Sequence, residues 1–270
     1  MNVLWIGGPP GSGKTTVARR LARLHGLRRY DSDARTWAHR DLAVKAGHPA
    51  ALRFEELTPA QRAAAPMQER LAMWLQAERG PMTVADLRAL PSSPLTVAEG
   101  TQVLPGMLPP GSRAVWLVPP AEVRLARLRA RHGPGWAPEL YLRLGELIEA
   151  EVERAGVAVI TREDALPEVE RFFAEELAAG PLARGPEERA RLLREANEAV
   201  VEQYRAFFAR PWSPDASETT ARPFVCECAD PRCDVQVSLV IERLPPTPVL
   251  APGHRPWNRP EQAGVRGQSR

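Results

Sequence analysis

One stretch near the N-terminus restricts the fold more than any other: Gly8-Pro9-Pro10-Gly11-Ser12-Gly13-Lys14-Thr15. It follows the apolar run Val3-Leu4-Trp5-Ile6 and leads into a segment with Val17, Leu21 and Leu24 at i, i+4 and i+7. A short apolar run that stops at glycine suits a buried strand; the second spacing is a helical stripe, with Gly26 as its stop. The stretch fits G-x-x-x-x-G-K-[ST] in full and in the strand–loop–helix context that gives the pattern meaning. Glycines let the backbone curl so that successive N–H groups converge on one anion, and the dipole of the following helix adds to that field. Residues Gly8 to Thr15, with Thr16, are therefore expected to cradle the phosphates of ATP. Lys14 would reach the β and γ phosphates, and the Thr15 hydroxyl would ligate Mg2+. The chain has 34 arginines but only two lysines, Lys14 and Lys45, so a lysine at position 14 stands out.

Strand and helix signals alternate over the first 180 residues. Further strands are expected near Arg29-Tyr30, over Leu95–Ala98 and Ala114–Val118, and over Val157–Ile160; helices are expected over 120–131, 138–155 and 165–179. Thr58-Pro59-Ala60-Gln61 reads as a capping box that opens a helix reaching about Glu78, with a break at Pro66. This alternation predicts an α/β fold, a doubly wound five-stranded parallel sheet. Composition changes around Gly180-Pro181 and Gly185-Pro186, a linker signal. An amphipathic helix follows over 187–208, then a cysteine segment, a strand over Val235–Ile241, and a proline- and arginine-rich end. The expected units are 1–180, a P-loop domain; 181–244, a helical and cysteine-containing appendage; and 245–270, a disordered basic tail.

The formal net charge is +3. Residues 251–270 hold Arg255, Arg259, Arg266 and Arg270 against Glu261, which is +4 − 1 = +3, so residues 1–250 are neutral overall. A neutral body disfavours a nucleic-acid groove. No apolar run approaches the roughly 18 residues of a membrane helix. The start of the chain lacks the basic and apolar regions of a signal peptide, so a cytoplasmic protein is expected. Nothing in the sequence points to an oligomeric state.

Two acidic features sit at expected strand ends. Tyr30-Asp31-Ser32-Asp33 closes the second strand, and Glu99-Gly100 closes the third. In a parallel sheet these ends open on the same edge as the phosphate loop. Carboxylates there can orient magnesium and accept the proton of an attacking hydroxyl; alternatively, an aspartate there caps a helix. Arg124, Arg127 and Arg131 recur on one helical stripe, placed to neutralise a transferring phosphoryl group or to form a solvated face.

The phosphate loop resembles that of the P-loop NTPase superfamily. The size of the α/β part and the Asp31-x-Asp33 pair are similar to its small kinase branch, the gluconate- and shikimate-kinase-like enzymes. That resemblance implies Asp31 near magnesium, Glu99 in contact with magnesium through water or in acceptor recognition, and Asp33 as base or acceptor contact. It also implies Arg127 and Arg131 as lid arginines, with Gly133-Pro134-Gly135 as a hinge. Arg162 stands where such kinases hold adenine, and His132 reads as a surface residue. The long insert from Val44 to Leu90 matches no such enzyme and is expected to shape the acceptor pocket.

Cys226-x-Cys228-x4-Cys233 offers three of the four ligands that zinc wants, with Asp230, Asp234 or His254 as candidates for the fourth; buried or turn cysteines are the other reading. The function expected from these features is transfer of the ATP γ-phosphate to a hydroxyl of a small molecule. Two alternatives are a nucleotide-dependent binding module whose appendage docks a partner, and a polynucleotide 5′-hydroxyl kinase.

Overall fold

The computed structural model describes residues 1–133, 136–213 and 218–256. Five strands, β1 (Val3–Gly7), β2 (Arg28–Asp31), β3 (Thr96–Glu99), β4 (Arg113–Leu117) and β5 (Val159–Ile160), form one parallel sheet in the order β2-β3-β1-β4-β5. The central strand β1 is buried on both faces, and its alternation assigns each residue to a side. Leu4 and Ile6 meet Val17, Leu21, Val97, Val115, Leu117 and Phe173 on one face. Val3 and Trp5 meet Tyr30, Val84, Leu87 and Val103 on the other. The sheet is thus doubly wound, as expected.

Helix α1 (Lys14–His25) follows β1 and ends at Gly26, whose left-handed conformation (φ 67°) returns its N–H to Ala22. A single 3-10 turn, Asp33–Arg35, leads from β2 into α2 (Thr36–Lys45). The insert then folds as four helices: α3 (Pro49–Glu56), α4 (Pro59–Ala64), α5 (Met67–Met73) and α6 (Gln76–Ala89). Thr58 and Gln61 form the reciprocal capping box, and the chain breaks at Pro66. A second break, absent from the sequence reading, falls at Leu75, which is fully buried in a left-handed conformation between α5 and α6. Helices α7 (Ala121–His132) and α8 (Glu139–Ala155) follow β4. The expected single helix over 165–179 is two, α9 (Leu166–Phe172) and α10 (Ala174–Ala179), on either side of buried Phe173. No helix among the described residues is long and apolar enough to cross a membrane.

The C-terminal part packs closely against the sheet domain. Helix α11 (Pro186–Phe208) lies beside β2 and α2. Beyond it an antiparallel hairpin forms from β6 (Ala221–Val225) and β7 (Gln236–Val240). The sequence reading missed β6 because Pro223 and the half-buried Arg222 mask its period; proline is tolerated there since the strand is at an edge. Asn197 of α11, 1% exposed, pins the end of β6. Its Nδ2 donates to Val225 O and Glu227 Oε1, and its Oδ1 accepts from Val225 N.

Residues 245–256 are not the disordered tail the composition suggests. Arg194 donates to the carbonyls of Pro245 and Thr247, Glu227 N donates to Val249 O, and Val249 and Ala251 are buried. The remainder of that tail, 257–270, lies outside the described residues, as do Pro134 and Gly135 of the expected hinge.

Candidate active site

Gly8 to Thr15 span the end of β1 and the start of α1. Lys14 Nζ is buried and donates to Pro9 O (2.9 Å) and Ser12 Oγ (3.3 Å). Burial lowers its ammonium from the ordinary lysine value, against the raising pull of Glu99 and Asp33. Two glycines are obligatory here. Gly8 has φ 134°, and a side chain on it would stand 2.2 Å from Leu117 O; Gly11 has φ 77° and faces Arg124 O at 2.6 Å. No side chain caps α1, so its N-terminus keeps its field for a ligand.

Register brings the acids together. Asp31 of β2 and Ile6 of β1 both lie beside Glu99 of β3. Thr15 Oγ1 donates to Glu99 Oε2 at 3.1 Å. Arg29 Nη2 bridges Asp31 Oδ2 (2.6 Å) and Glu99 Oε1 (3.2 Å). Burial, reinforced by Asp31, pushes the Glu99 carboxyl up to about 8, with Arg29 pulling the other way. Burial also raises Asp31, which accepts from the backbone N–H of Asp33 (2.9 Å) through Oδ1 and so closes the turn. Asp31 thus caps the turn, one of its two readings from the sequence, and also shares Arg29 with Glu99. Arg29 was not singled out from the sequence, because only the pairing of β2 with β3 reveals what it bridges.

Asp33 instead faces a cleft of about 380 Å³ that begins at Gly11, Gly13, Lys14, Thr15 and Thr16. That volume lies in the range of small-ligand pockets. Its far walls come from α2 (Trp37, Arg40), the insert (Phe54, Trp74, Arg79), α7 and α8 (Arg131, His132, Tyr141) and Gln203 of α11. Trp37 and Phe54 pack with ring centroids 6.1 Å apart, and the Arg40 guanidinium sits 3.6 Å over the Phe54 ring. Arg79 is 2% exposed; its Nη2 donates to Ser32 O at 2.6 Å while its Nε has no partner among the described residues. The insert therefore borders the cleft as expected, but its contributing residues had no recognisable spacing.

The arginine stripe on α7 divides. Arg131 borders the cleft. Arg127 lies behind the loop, where Nη1 reaches Ser12 O (3.3 Å) and Nη2 reaches Glu163 O (3.2 Å). Arg124 pairs with Glu149 at 2.6 Å. Arg162 is largely exposed, pairs with Glu168 and does not border the cleft. His132 is exposed, as expected, while bordering the cleft and stacking on Trp136 (4.6 Å between centroids); desolvation and the neighbouring Arg131 lower its pKa.

A second cluster lies away from this cleft. The Sγ atoms of Cys226, Cys228 and Cys233 and a ring nitrogen of His254 all fall within 4.8 Å of one another. The other two candidates for a fourth ligand are committed elsewhere. Asp234 is paired with Arg19 and Arg20, and Asp230 Oδ1 accepts from Arg232 N.

A central parallel strand, the glycine-rich loop behind it, a buried lysine and a hydroxyl–carboxylate contact across strand ends define a P-loop NTPase-type nucleotide-binding protein of the α/β class. The AAA domain family model matches residues 3–155, and the chain belongs to that family. Among solved structures it is similar to a shikimate kinase from Acinetobacter baumannii in complex with shikimate, with 20% identity, 66% of this chain and 93% of that one covered, and a TM-score of 0.41. It is also similar to TT1252 from Thermus thermophilus, with 24% identity, 66% and 96% covered, and a TM-score of 0.44. No curated protein matches the sequence.

Proposed function

We propose that the protein is an ATP-dependent phosphotransferase that moves the γ-phosphate of magnesium-ATP to a hydroxyl of a small molecule. The observation that carries this reading is the continuity of the cleft. Lys14, Thr15 and Thr16 stand at one end, and Asp33 borders the same 380 Å³ volume as the aromatic and arginine walls. An acceptor held against those walls would lie beside the phosphate loop.

The residues divide the work. The loop from Gly8 to Thr16 binds the phosphates, with Lys14 on the β and γ groups. Thr15, Asp31 and Glu99 present hydroxyl and carboxylate oxygens, the hard donor set that suits Mg2+. Burial and the neighbouring Asp31 push the Glu99 carboxyl up to about 8, and a cation bound beside it would favour its charged form. Bound magnesium would neutralise charge on the phosphates. Asp33 accepts the proton as the acceptor oxygen bonds to the γ-phosphorus and the bond to the ADP oxygen breaks. Arg131 meets charge spreading on the transferring group, and Arg127 positions the loop through its carbonyls. Trp37, Phe54 and Trp74 give the cleft an apolar border, and Arg79 retains an unsatisfied donor, so the acceptor is expected to carry an apolar part and a hydrogen-bond-accepting, anionic group.

γ-Labelled ATP with magnesium, incubated separately with a small-metabolite extract and with total RNA, tests this, with Lys14→Ala as the blank. Label in a small molecule, absent with the variant, supports the proposal and identifies the acceptor by mass. Label in RNA replaces it with a polynucleotide kinase. Label only in ATP or free phosphate contradicts it and favours a nucleotide-dependent binding module.

A further inference from the structure

We propose that Cys226, Cys228, Cys233 and His254 bind one zinc ion in a closed site that fastens the C-terminal segment to the β6–β7 hairpin and the pair to helix α1. The cluster has the dimensions of a coordination sphere. His254 Nδ1 lies 3.5 Å from Cys226 Sγ and 3.6 Å from Cys233 Sγ. A tetrahedral ion with Zn–S of about 2.3 Å and Zn–N of about 2.0–2.1 Å puts sulfur and nitrogen about 3.6 Å apart. Three thiolates and an imidazole suit zinc and not magnesium or calcium. All three cysteines are buried and free of disulfides.

The surroundings supply an independent argument from charge. Arg23 of α1 is 8% exposed and makes no ion pair among the described residues. Its guanidinium donates to the carbonyls of Cys226 and Asp230, and Nη1 stands 3.9 Å from Cys228 Sγ. A buried cation among neutral carbonyls is costly without a counter-charge. Zinc with three thiolates and a neutral imidazole carries −3 + 2 = −1, and Arg23 balances it. Ala251 N adds an N–H donor to Cys226 Sγ at 3.3 Å, the outer-shell contact that steadies a ligating thiolate.

Four protein ligands leave no open position, so the ion is structural and not catalytic. It joins the end of β6, the following turn and a segment 21 residues further on (254 − 233) that has no regular secondary structure. Arg19 and Arg20 hold Asp234 of the same module at 2.7 and 2.8 Å, so the zinc-bound hairpin braces the helix that begins at Lys14.

The test is elemental analysis of the purified full chain, with cobalt(II) as a spectroscopic probe of the metal-stripped protein. The expected result is one zinc per chain, visible absorption of a tetrahedral thiolate site with cobalt, and bleaching of that band by added zinc. Cys228→Ser should lose the stoichiometric zinc while ATP still raises its melting temperature, which shows that the nucleotide domain remains folded. Should Cys228→Ser not fold, wild-type protein decides the question through thiol labelling: zinc should protect all three cysteines. Absence of both stoichiometric zinc and the cobalt band, thiols labelled equally with and without zinc, or full zinc retained in Cys228→Ser would overturn the proposal.

Discussion

The Thr15 hydroxyl donates to Glu99 Oε2 across 3.1 Å, tying the first turn of α1 to the end of β3. Glu99 is fully buried, and its other oxygen accepts from Arg29. One carboxylate thus connects the phosphate loop, through Arg29, to the strand that carries Asp31 and leads to Asp33.

Glu99→Gln keeps the shape and removes the charge. Nucleotide binding without magnesium should be unchanged, whereas magnesium should strengthen ATP binding about tenfold less than in wild type, the scale of one lost charge-assisted contact. Calorimetric titrations with and without the cation measure the difference. An identical magnesium effect in both proteins removes Glu99 from the metal site.

Asp86 of α6 is a pH-sensitive tie. Its Oδ2 accepts from Tyr30 Oη (2.8 Å) and Arg35 Nε (3.1 Å) and meets His39 Nε2 (3.0 Å), holding the insert to the strand end that precedes Asp33. Despite partial burial, these partners pull its carboxyl down to about 2. Because the folded value lies below the unfolded one, the stabilisation is complete above about pH 4 and is lost as pH falls towards 2. With solvent screening discounted, it should amount to about 1 kcal/mol. Asp86→Asn should flatten that part of the stability–pH curve in urea melts; an unchanged acid limb contradicts the assignment.

Asn197→Ala leaves the N–H of Val225 and a buried carboxylate oxygen of Glu227 without their partner. A loss of about 2–3 kcal/mol is expected, the cost of orphaned buried polar groups. Denaturant unfolding checks it, and a change below about 0.5 kcal/mol would show that α11 is held to the hairpin by its apolar contacts alone.

Arg79→Met preserves length and apolar packing but removes the donors at the far wall of the cleft. Acceptor KM should rise about 10- to 100-fold while the KM for ATP stays near wild type, the signature of lost acceptor binding. A parallel rise in both constants would instead mark Arg79 as a support of the whole site through Ser32 O.

Local signals carried the nucleotide half of this protein. β1, the loop and α1 are consecutive, so a motif and two periodicities suffice to place Lys14 and Thr15. Asp31, Asp33 and Glu99 were also readable because strand ends of a parallel sheet share an edge. The far walls of the cleft depend on register and packing. Arg29 gains its role only when β2 pairs with β3, and Arg79 borders the cleft from a helix that starts after the break at Leu75, a residue with no conformational preference for a left-handed turn. The three cysteines were visible as a group and His254 as one of three candidates for a fourth member, but the segment that carries it is proline-rich and without periodicity, so its position was not legible. That segment is placed by Arg194, Glu227 and the buried Val249 and Ala251. Likewise, β5 is shorter than its apolar run because only Val159 and Ile160 find partners, in Trp116 and Leu117.

The measurement that bears most directly on the phosphotransferase reading is acceptor-dependent turnover of Asp33→Asn, with ATP affinity determined on the same samples. A general base contributes about 10²–10⁴-fold to such a reaction. The account predicts ATP binding within about twofold of wild type and a loss of turnover in that range. Wild-type turnover in the variant would contradict it, because the cleft would then transfer phosphate without the one carboxylate that borders it among the described residues.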